Sequence, residues 1–130
     1  MEAPNLTTPD RIMTREEYMR LVPGVFAFMQ ELIHAKNADY GGGSGDPFAN
    51  FRQSIQENVD PIRGLRLRIG DKEQRIRSFL ATGQLKVKSE SVYDAVLDRI
   101  GYSLLELGML IERNEDWHYF EKMAQKAEEA

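Results

Sequence analysis

Residues 90–113 read ESVYDAVLDRIGYSLLELGMLIER and are the most apolar segment of the chain. The apolar residues that recur through it at helical spacing are Val92, Val96, Ile100, Leu104, Leu107 and Ile111. Ser89 stands just before the segment and is a suitable N-cap. The pattern predicts a long helix from Glu90 to about Arg113, and so apolar a helix should lie at the centre of the fold.

Two helices are predicted just before this segment. Asp60 followed by Pro61 is an N-cap with proline at the first helical position. The helix that it starts runs to about Thr82, where Gly83 provides a C-terminal stop. Residues 48–58 form a shorter helix in front of it.

The N-terminal part begins its helical structure at a capping box. Thr14 can cap the helix and Glu17 can reach back to it. Pro23 interrupts the pattern, which predicts a short helix ending near Leu21 and a second from Pro23 to about Ala38. The second helix should bury Val25, Met29, Leu32 and Ile33.

The chain of 130 residues fits one all-α domain, a bundle of four to five helices. Residues 1–13 are predicted to be a flexible N-terminal arm. Residues 14–113 form the helical domain, and residues 114–130 a charged C-terminal helix.

Composition narrows the range of possible functions. The chain has no cysteine and only two histidines, so carboxylates would supply most ligands of any metal, which favours Mg²⁺ or Mn²⁺. A net charge of −4 argues against direct binding of long nucleic acids but not against a small phosphorylated ligand. No signal peptide or membrane span is expected, so the cytoplasm is the expected location.

A lysine interrupts the apolar stripe of the helix at residues 60–82. The stripe consists of Ile62, Leu65, Ile69, Ile76 and Leu80. Its spacing predicts a core residue at position 72, which is Lys72, with Arg68 and Arg75 one turn away on either side. Lys72 either snorkels or pairs with a carboxylate inside the protein, or it joins Arg75 in binding phosphate.

An acidic row marks the segment from residue 90 onward. Glu90, Asp94 and Asp98 are four residues apart, so they stack on one helix face and repel each other. The same face continues through small and apolar residues, Gly101, Leu105 and Gly108. Either the basic residues of the preceding helix or a divalent cation can neutralise the row.

The helix before the glycine loop carries a second polar pair, Glu31 and His34. They share a face with Ala27, Ala35 and Ala38, where small side chains permit close packing against another helix or another subunit. A homo-oligomer is therefore expected. Glu31 is the better metal-ligand candidate, because a lone histidine is more often packed or hydrogen-bonded.

The loop at residues 41–45 reads GGGSG and follows Lys36, Asp39 and Tyr40 at the end of that helix. Its glycines permit positive φ angles and exposed N–H groups, which suit an anion or a base edge. The spacing matches neither a Walker A loop nor a dinucleotide fingerprint. The neighbouring aromatic residues Tyr40, Phe48 and Phe51 can stack on a nucleobase or anchor the loop on the core.

Together, four stretches resemble a known family: KNADYG at 36–41, DPFANFR at 46–52, GDKEQR at 70–75 and ESVYDAVLDRIGY at 90–102. They are similar to small phage and bacterial proteins of a nucleotide-modification-associated domain family. That family in turn resembles the MazG-like all-α nucleoside triphosphate pyrophosphohydrolases. The resemblance covers roughly residues 25–112.

The MazG-like resemblance implies Mg²⁺ held by carboxylate pairs on two facing helices, and hydrolysis between the α- and β-phosphates. On one helix Asp98 matches the last carboxylate, and Tyr102 fits the tyrosine four positions later. The glutamate expected three residues before Asp98 is Ala95, so Asp94 would substitute for it.

On the other helix Glu31 matches one glutamate, whereas His34 occupies the position of its partner. Two of the four expected ligands are therefore replaced. The resemblance implies Glu31, Asp94 and Asp98 as metal-binding and catalytic residues. The substrate-binding candidates are Lys36, Asp39, Tyr40, Arg52, Lys72, Arg75 and Tyr102.

Three hypotheses follow. The first is a cytoplasmic, phage-encoded protein that binds a (deoxy)nucleotide and hydrolyses it with Mg²⁺, Lys72 and Arg75 holding the phosphates. The second is a non-catalytic nucleotide binder, either a sponge for a nucleotide signal in anti-phage defence or an accessory protein of nucleotide modification. The replaced ligands Ala95 and His34 favour this second hypothesis. The third is a structural protein in which Lys72 pairs with the acidic row across the bundle.

Overall fold

The structure, a computed structural model, describes residues 8–40, 45–83 and 91–129. All secondary structure in these ranges is helical, which confirms the predicted all-α class. The elements are α1 (Arg15–Tyr40), α2 (Ala49–Arg52), a 3-10 helix (Gln53–Glu57), α3 (Pro61–Thr82), α4 (Val92–Asn114) and α5 (Trp117–Glu128). None of the helices within the described ranges combines the length and the apolar character that crossing a membrane requires.

Several predicted helix ends are confirmed by hydrogen bonds. The Thr14 hydroxyl accepts from the N–H of Glu17, and the Glu17 carboxylate accepts from the N–H of Thr14, both at 3.1 Å. Asp60 accepts from the N–H of Ile62 at 3.0 Å and so caps α3. Gly83 ends α3 in the left-handed conformation at φ 74°, which glycine adopts without steric cost.

The predicted break at Pro23 is wrong, because α1 runs through it as one helix. Pro23 offers no N–H to the carbonyl of Met19, the i−4 position. Met19 is exposed, as are most residues from 15 to 21, so water can satisfy that carbonyl.

The predicted start of α4 is also wrong by two residues. Ser91, not Ser89, is the N-cap: its hydroxyl accepts from the N–H of Asp94 at 3.1 Å, and the Asp94 carboxylate accepts from the N–H of Ser91 at 3.2 Å. This reciprocal capping box fixes the start of the helix at Val92. Residues 84–90, including Ser89 and Glu90, lie outside the described part of the chain.

Helices α3 and α4 form the principal pair and run antiparallel. Three ion pairs align them along their length: Arg113 with Asp60, Arg66 with Glu106, and Lys72 with Asp98. The central core lies between these helices and α2. Its buried members are Phe51, Ile62, Leu65 and Met109, with Phe48, Ile69, Tyr102 and Leu105 packed against them.

The apolar face that α4 turns into this core is not the predicted one. Among the predicted core residues of α4, Leu104 and Leu107 remain 41% and 38% exposed. The buried positions are instead Ala95 and Met109, on the face that carries the acidic row. Because α4 is apolar on two sides, helical spacing alone did not identify the side that α3 would cover.

The α3 stripe is confirmed at Ile62 and Leu65 but is wrong at Leu80, which is 63% exposed. The antiparallel alignment explains the difference. Since Lys72 faces Asp98, Leu80 lies at a level just before Val92, the first residue of α4.

Helix α1 packs across α4 through its C-terminal half. Met29 is 2% exposed, whereas Tyr18 near the start of α1 is 53% exposed although it lies on the same helix face. The N-terminal half therefore extends beyond the α3–α4 pair. Ala27 and Ala35, from the alanine face predicted for close packing, are exposed in the described chain.

Candidate functional site

A pocket with a cavity volume of about 40 Å³, open to solvent, lies where α1 crosses α4 beside α2. Its apolar walls are formed by Met29, Leu32, Ile33, Phe51, Leu97, Gly101 and Leu105. Three polar residues also line it: Lys36, Asp98 and Tyr102. A concave, mainly apolar site with a few converging polar groups is typical of a small-molecule pocket.

Gly101 allows the two helices to approach each other here. A Cβ atom at this position would lie 3.2 Å from the terminal carbon of Met29, closer than most van der Waals contacts. Met29 therefore lies directly over the α4 backbone.

Lys72 has a partner at the wall of this pocket. Its ammonium nitrogen lies 3.0 Å from a carboxylate oxygen of Asp98, and the two side chains are 14% and 30% exposed. The lysine that interrupts the α3 stripe thus pairs across the bundle, as one of its predicted alternatives required. Because Asp98 also lines the pocket, the ion pair borders the site, and an anionic ligand there would lie near its positive partner.

The structure does not gather the three predicted metal ligands. Glu31 is exposed and lies two residues from the buried Met29, about 200° around the helix. Asp94 is held in the capping box of α4, and only Asp98 reaches the pocket. In the described ranges, no three histidine, aspartate or glutamate side chains form a group that could hold a metal ion. The described residues of one chain therefore do not by themselves assemble the implied Mg²⁺ site.

Arg52, predicted to bind substrate, connects the end of the glycine loop to α4. It donates two hydrogen bonds to Asp46, at 2.7 and 3.2 Å, and two to Glu112, at 2.8 and 2.6 Å. Its guanidinium also lies 5.7 Å from the centre of the Phe48 ring. We call the set Asp46, Arg52 and Glu112 the arginine clamp.

The arginine clamp shifts the pKa of each of its members. Hydrogen bonds from Arg52 lower the pKa of the Glu112 carboxyl below its ordinary value of 4.5. The same arginine, followed by the N–H of Phe48, lowers the pKa of Asp46 below 3.8. Hydrogen bonds to Glu112 and Asp46 raise the pKa of Arg52. The clamp is therefore fully charged at neutral pH and holds residues 46–52 against α4.

Phe48 complements the arginine clamp by packing into the surface of α4. A Cβ atom at Gly108 would lie 2.8 Å from the tip of the Phe48 ring, so only glycine leaves room for it. Of the two roles predicted for the aromatic residues, Phe48 has the anchoring one. Phe51 is 6% exposed, so it is likewise anchored in the core, and it also lines the pocket.

The remaining substrate-binding candidates divide into two groups. Lys36 and Tyr102 line the pocket together with Asp98, so the structure brings these three together. Arg75 lies half-buried on α3, one turn beyond Lys72. The side chains of Asp39 and Tyr40, and residues 41–44 of the glycine loop, lie outside the described residues.

Sequence reasoning named the residues of the pocket wall except Leu97, which carries no chemical signal. It did not bring them together into one site, because they come from three separate helices, α1, α2 and α4. Arg68 was noted only as a flanking charge. Its guanidinium lies 5.1 Å from the centre of the Phe51 ring, which places a cation beside the pocket wall.

Comparison with family models, with curated proteins and with solved structures gives no match for this chain.

Proposed function

We propose that this protein binds a (deoxy)nucleotide in the pocket between α1 and α4. The observation that carries the proposal is the combination of apolar walls with charged groups at one site. The base would lie between Phe51 and Leu105, where flat apolar surface is buried on binding. Its phosphates would lie towards Lys36, with Lys72 and Arg68 as further cations nearby.

Two versions of this proposal differ in whether the nucleotide is turned over. Binding without turnover is supported by the positions of the carboxylates, because Asp94 caps α4 and Glu31 points away from Asp98. Such a binder would act as a sponge for a nucleotide signal or as an accessory protein of nucleotide modification, in the cytoplasm of a phage-infected cell.

The hydrolytic version requires further acidic groups near Asp98. Glu31 lies on the outer face of α1, so in a homo-oligomer a second chain would have to supply the missing carboxylates. A Mg²⁺-dependent nucleoside triphosphate pyrophosphohydrolase of this kind would release pyrophosphate only as an oligomer. Pyrophosphate release therefore distinguishes the two versions.

The test is a thermal-shift screen of nucleoside mono-, di- and triphosphates and cyclic nucleotides, with and without Mg²⁺, followed by calorimetry on any ligand found. A nucleotide present at about 100 times its Kd stabilises the folded state by about 2.7 kcal/mol. Lys36→Gln should weaken binding of that nucleotide about 10-fold, as expected when one phosphate contact is lost.

The matched control is Lys122→Gln, the same change at an exposed lysine of α5 far from the pocket lining. It should bind like the wild type. If no nucleotide shifts the melting temperature, or if both variants bind equally well, nucleotide binding in this pocket is wrong. Pyrophosphate in the Mg²⁺ samples would establish the hydrolytic version.

A further inference from the structure

Three polar side chains at the pocket between α1 and α4 have bonding capacity that the chain leaves unused. In the described part of the chain, the Tyr102 hydroxyl and the Lys36 ammonium have no hydrogen-bond or ion-pair partner. Asp98 has one partner, Lys72, whose ammonium lies 3.0 Å from one of its two carboxylate oxygens. None of the unpartnered side-chain atoms in the described ranges is sealed from solvent, so a ligand in the pocket can reach these groups.

Asp98 and Tyr102 lie side by side on α4. They are four residues apart, about one helical turn, so their side chains project from the same face. The Tyr102 hydroxyl can donate one hydrogen bond, whereas an ionised carboxylate only accepts. Each carboxylate oxygen has two lone pairs, so the oxygen that Lys72 contacts can still accept a second bond. The pair therefore presents one donor beside two acceptors.

This order of one donor and two acceptors matches one nucleobase. The Watson–Crick edge of guanine presents the O6 acceptor and then the N1–H and N2–H₂ donors, so two adjacent donors can meet one carboxylate bidentately. Adenine and cytosine have a single amino donor beside a ring nitrogen, whose lone pair would face the second carboxylate oxygen. Uracil and thymine have one N–H between two carbonyl groups. Among the standard bases, only guanine satisfies all three groups.

The shape of the pocket fits a base that enters by this edge. Its cavity volume of about 40 Å³ has room for about three water-sized groups, which is the number of polar groups on the guanine edge. Because the cavity is open to solvent, the sugar and the phosphates remain outside, where Lys36 is available to the phosphates. The apolar walls, Phe51 and Leu105 among them, lower the local dielectric and so strengthen hydrogen bonds to the base.

We propose that Asp98 and Tyr102 select guanine as the base of the bound nucleotide. The Asp98 carboxylate accepts from N1–H and N2–H₂, and the Tyr102 hydroxyl donates to O6. Lys72 acts through Asp98, because its ion pair holds the carboxylate at the pocket wall, and is therefore a positioning residue. The choice of guanine rests on the proposed function, since it names the base of a nucleotide bound in the same pocket.

Calorimetric titration of the unmodified full chain with nucleoside triphosphates, without Mg²⁺, is the first test. GTP should bind most tightly. ITP, whose base lacks only the N2 amino group of guanine, should bind about 10-fold more weakly, as expected when one hydrogen bond to a charged group is lost. ATP, CTP and UTP should bind about 100-fold more weakly than GTP. Equal binding of GTP and ITP, or tighter binding of any other triphosphate, would overturn the choice of guanine.

A reversal of base preference is the second test, because a purely structural role of Asp98 would not produce one. Asp98→Asn replaces one acceptor with an amide donor. Xanthine carries a carbonyl group where guanine carries the N2 amino group, so its edge matches that amide. The variant should bind GTP about 10-fold more weakly than the wild type does, and xanthosine triphosphate more tightly than GTP. An Asp98→Asn protein that still prefers GTP would contradict direct contact with the base.

Two further variants serve as controls. Asp71→Asn makes the same change at an exposed aspartate of α3 that does not line the pocket, and it should keep the wild-type order of affinities. Tyr102→Phe removes only the hydroxyl. It should weaken GTP and ITP equally, by about 5-fold, because both bases carry O6. A larger loss for ITP than for GTP would contradict the contact between Tyr102 and O6.

The wild-type series separates two kinds of failure. If no nucleotide binds, the proposed nucleotide binding is wrong and the choice of guanine is wrong with it. If nucleotides bind without preference for guanine, nucleotide binding stands and only the role given to Asp98 and Tyr102 is wrong. Because this series uses the unmodified chain, it decides the question even if Asp98→Asn does not fold once Lys72 loses its partner.

Discussion

The two apolar sides of α4 differ in how they are used. The side towards α3 contains glycines, a tyrosine and carboxylates, yet it holds the core, with Met109 at 5% exposure. The other side is a row of leucine and isoleucine, yet Leu104 and Leu107 in it remain 41% and 38% exposed. Hydrophobicity alone therefore did not decide which side was buried. Steric fit and ion pairing with α3 decided it.

The largest expected difference between the two sides is in the stability of a single chain. Leu65, on α3 opposite the core side of α4, is fully buried, so Leu65→Ala should lower the free energy of unfolding by about 2–5 kcal/mol. Leu104→Ala, on the side of α4 away from α3, should lower it by less than about 1 kcal/mol, because Leu104 is 41% exposed. Urea unfolding at low protein concentration measures both. Equal losses would mean that both sides of α4 belong to the core.

Gly101 and Gly108, the two glycines on the core side of α4, test how tightly that side is packed. Gly108→Ala places a methyl group against the rigid Phe48 ring and should cost about 1–3 kcal/mol. Gly101→Ala meets the flexible end of Met29, so the clash is smaller and the better helix propensity of alanine, about 1 kcal/mol, offsets it. Thermal unfolding compares them. A Gly101→Ala protein less stable than Gly108→Ala would contradict the anchoring role of Phe48.

The smallest expected effect concerns the arginine clamp. Its three side chains, Arg52, Asp46 and Glu112, are 38%, 32% and 39% exposed. Solvent screening limits their contribution, so Arg52→Gln should cost about 1 kcal/mol at pH 7. The control is Arg66→Gln, which removes one ion pair, between Arg66 of α3 and Glu106 of α4. This variant should lower the free energy of unfolding by less than Arg52→Gln does.

The loss caused by Arg52→Gln should depend on pH. Glu112 and Asp46 have lowered pKa values in the folded state, so their stabilisation is complete above the unfolded values of 4.5 and 3.8. It disappears as the pH falls through the folded values. Urea unfolding of wild type and variant should therefore differ at pH 7 and converge in acid. A difference that persists below pH about 3 would mean that Arg52 acts through packing rather than charge.

Local signals in the sequence determined the class of the fold and most helix ends. The cap at Asp60, the box at Thr14 and the stop at Gly83 depend only on neighbouring residues, and all three are correct. Pro23 misled the prediction, because a proline inside a helix removes one hydrogen bond and can kink the helix without ending it.

The candidate site was only partly visible in the sequence. Lys36, Asp98 and Tyr102 were selected for their chemistry and do meet at one pocket. Arg52 and Asp94 were selected by the same reasoning, but the structure places them in a clamp and a cap. A side chain's chemistry shows what it can do. The groups it meets, which come from distant parts of the chain, decide which of those roles it has.

The sequence by itself determined that this chain is helical, that α4 is central and that Lys72 needs a polar partner. Only the tertiary structure decided that the partner is Asp98 and which side of α4 faces α3. The physical reason is that helix formation follows from contacts three or four residues apart, whereas the choice of buried face depends on shape and charge across two helices.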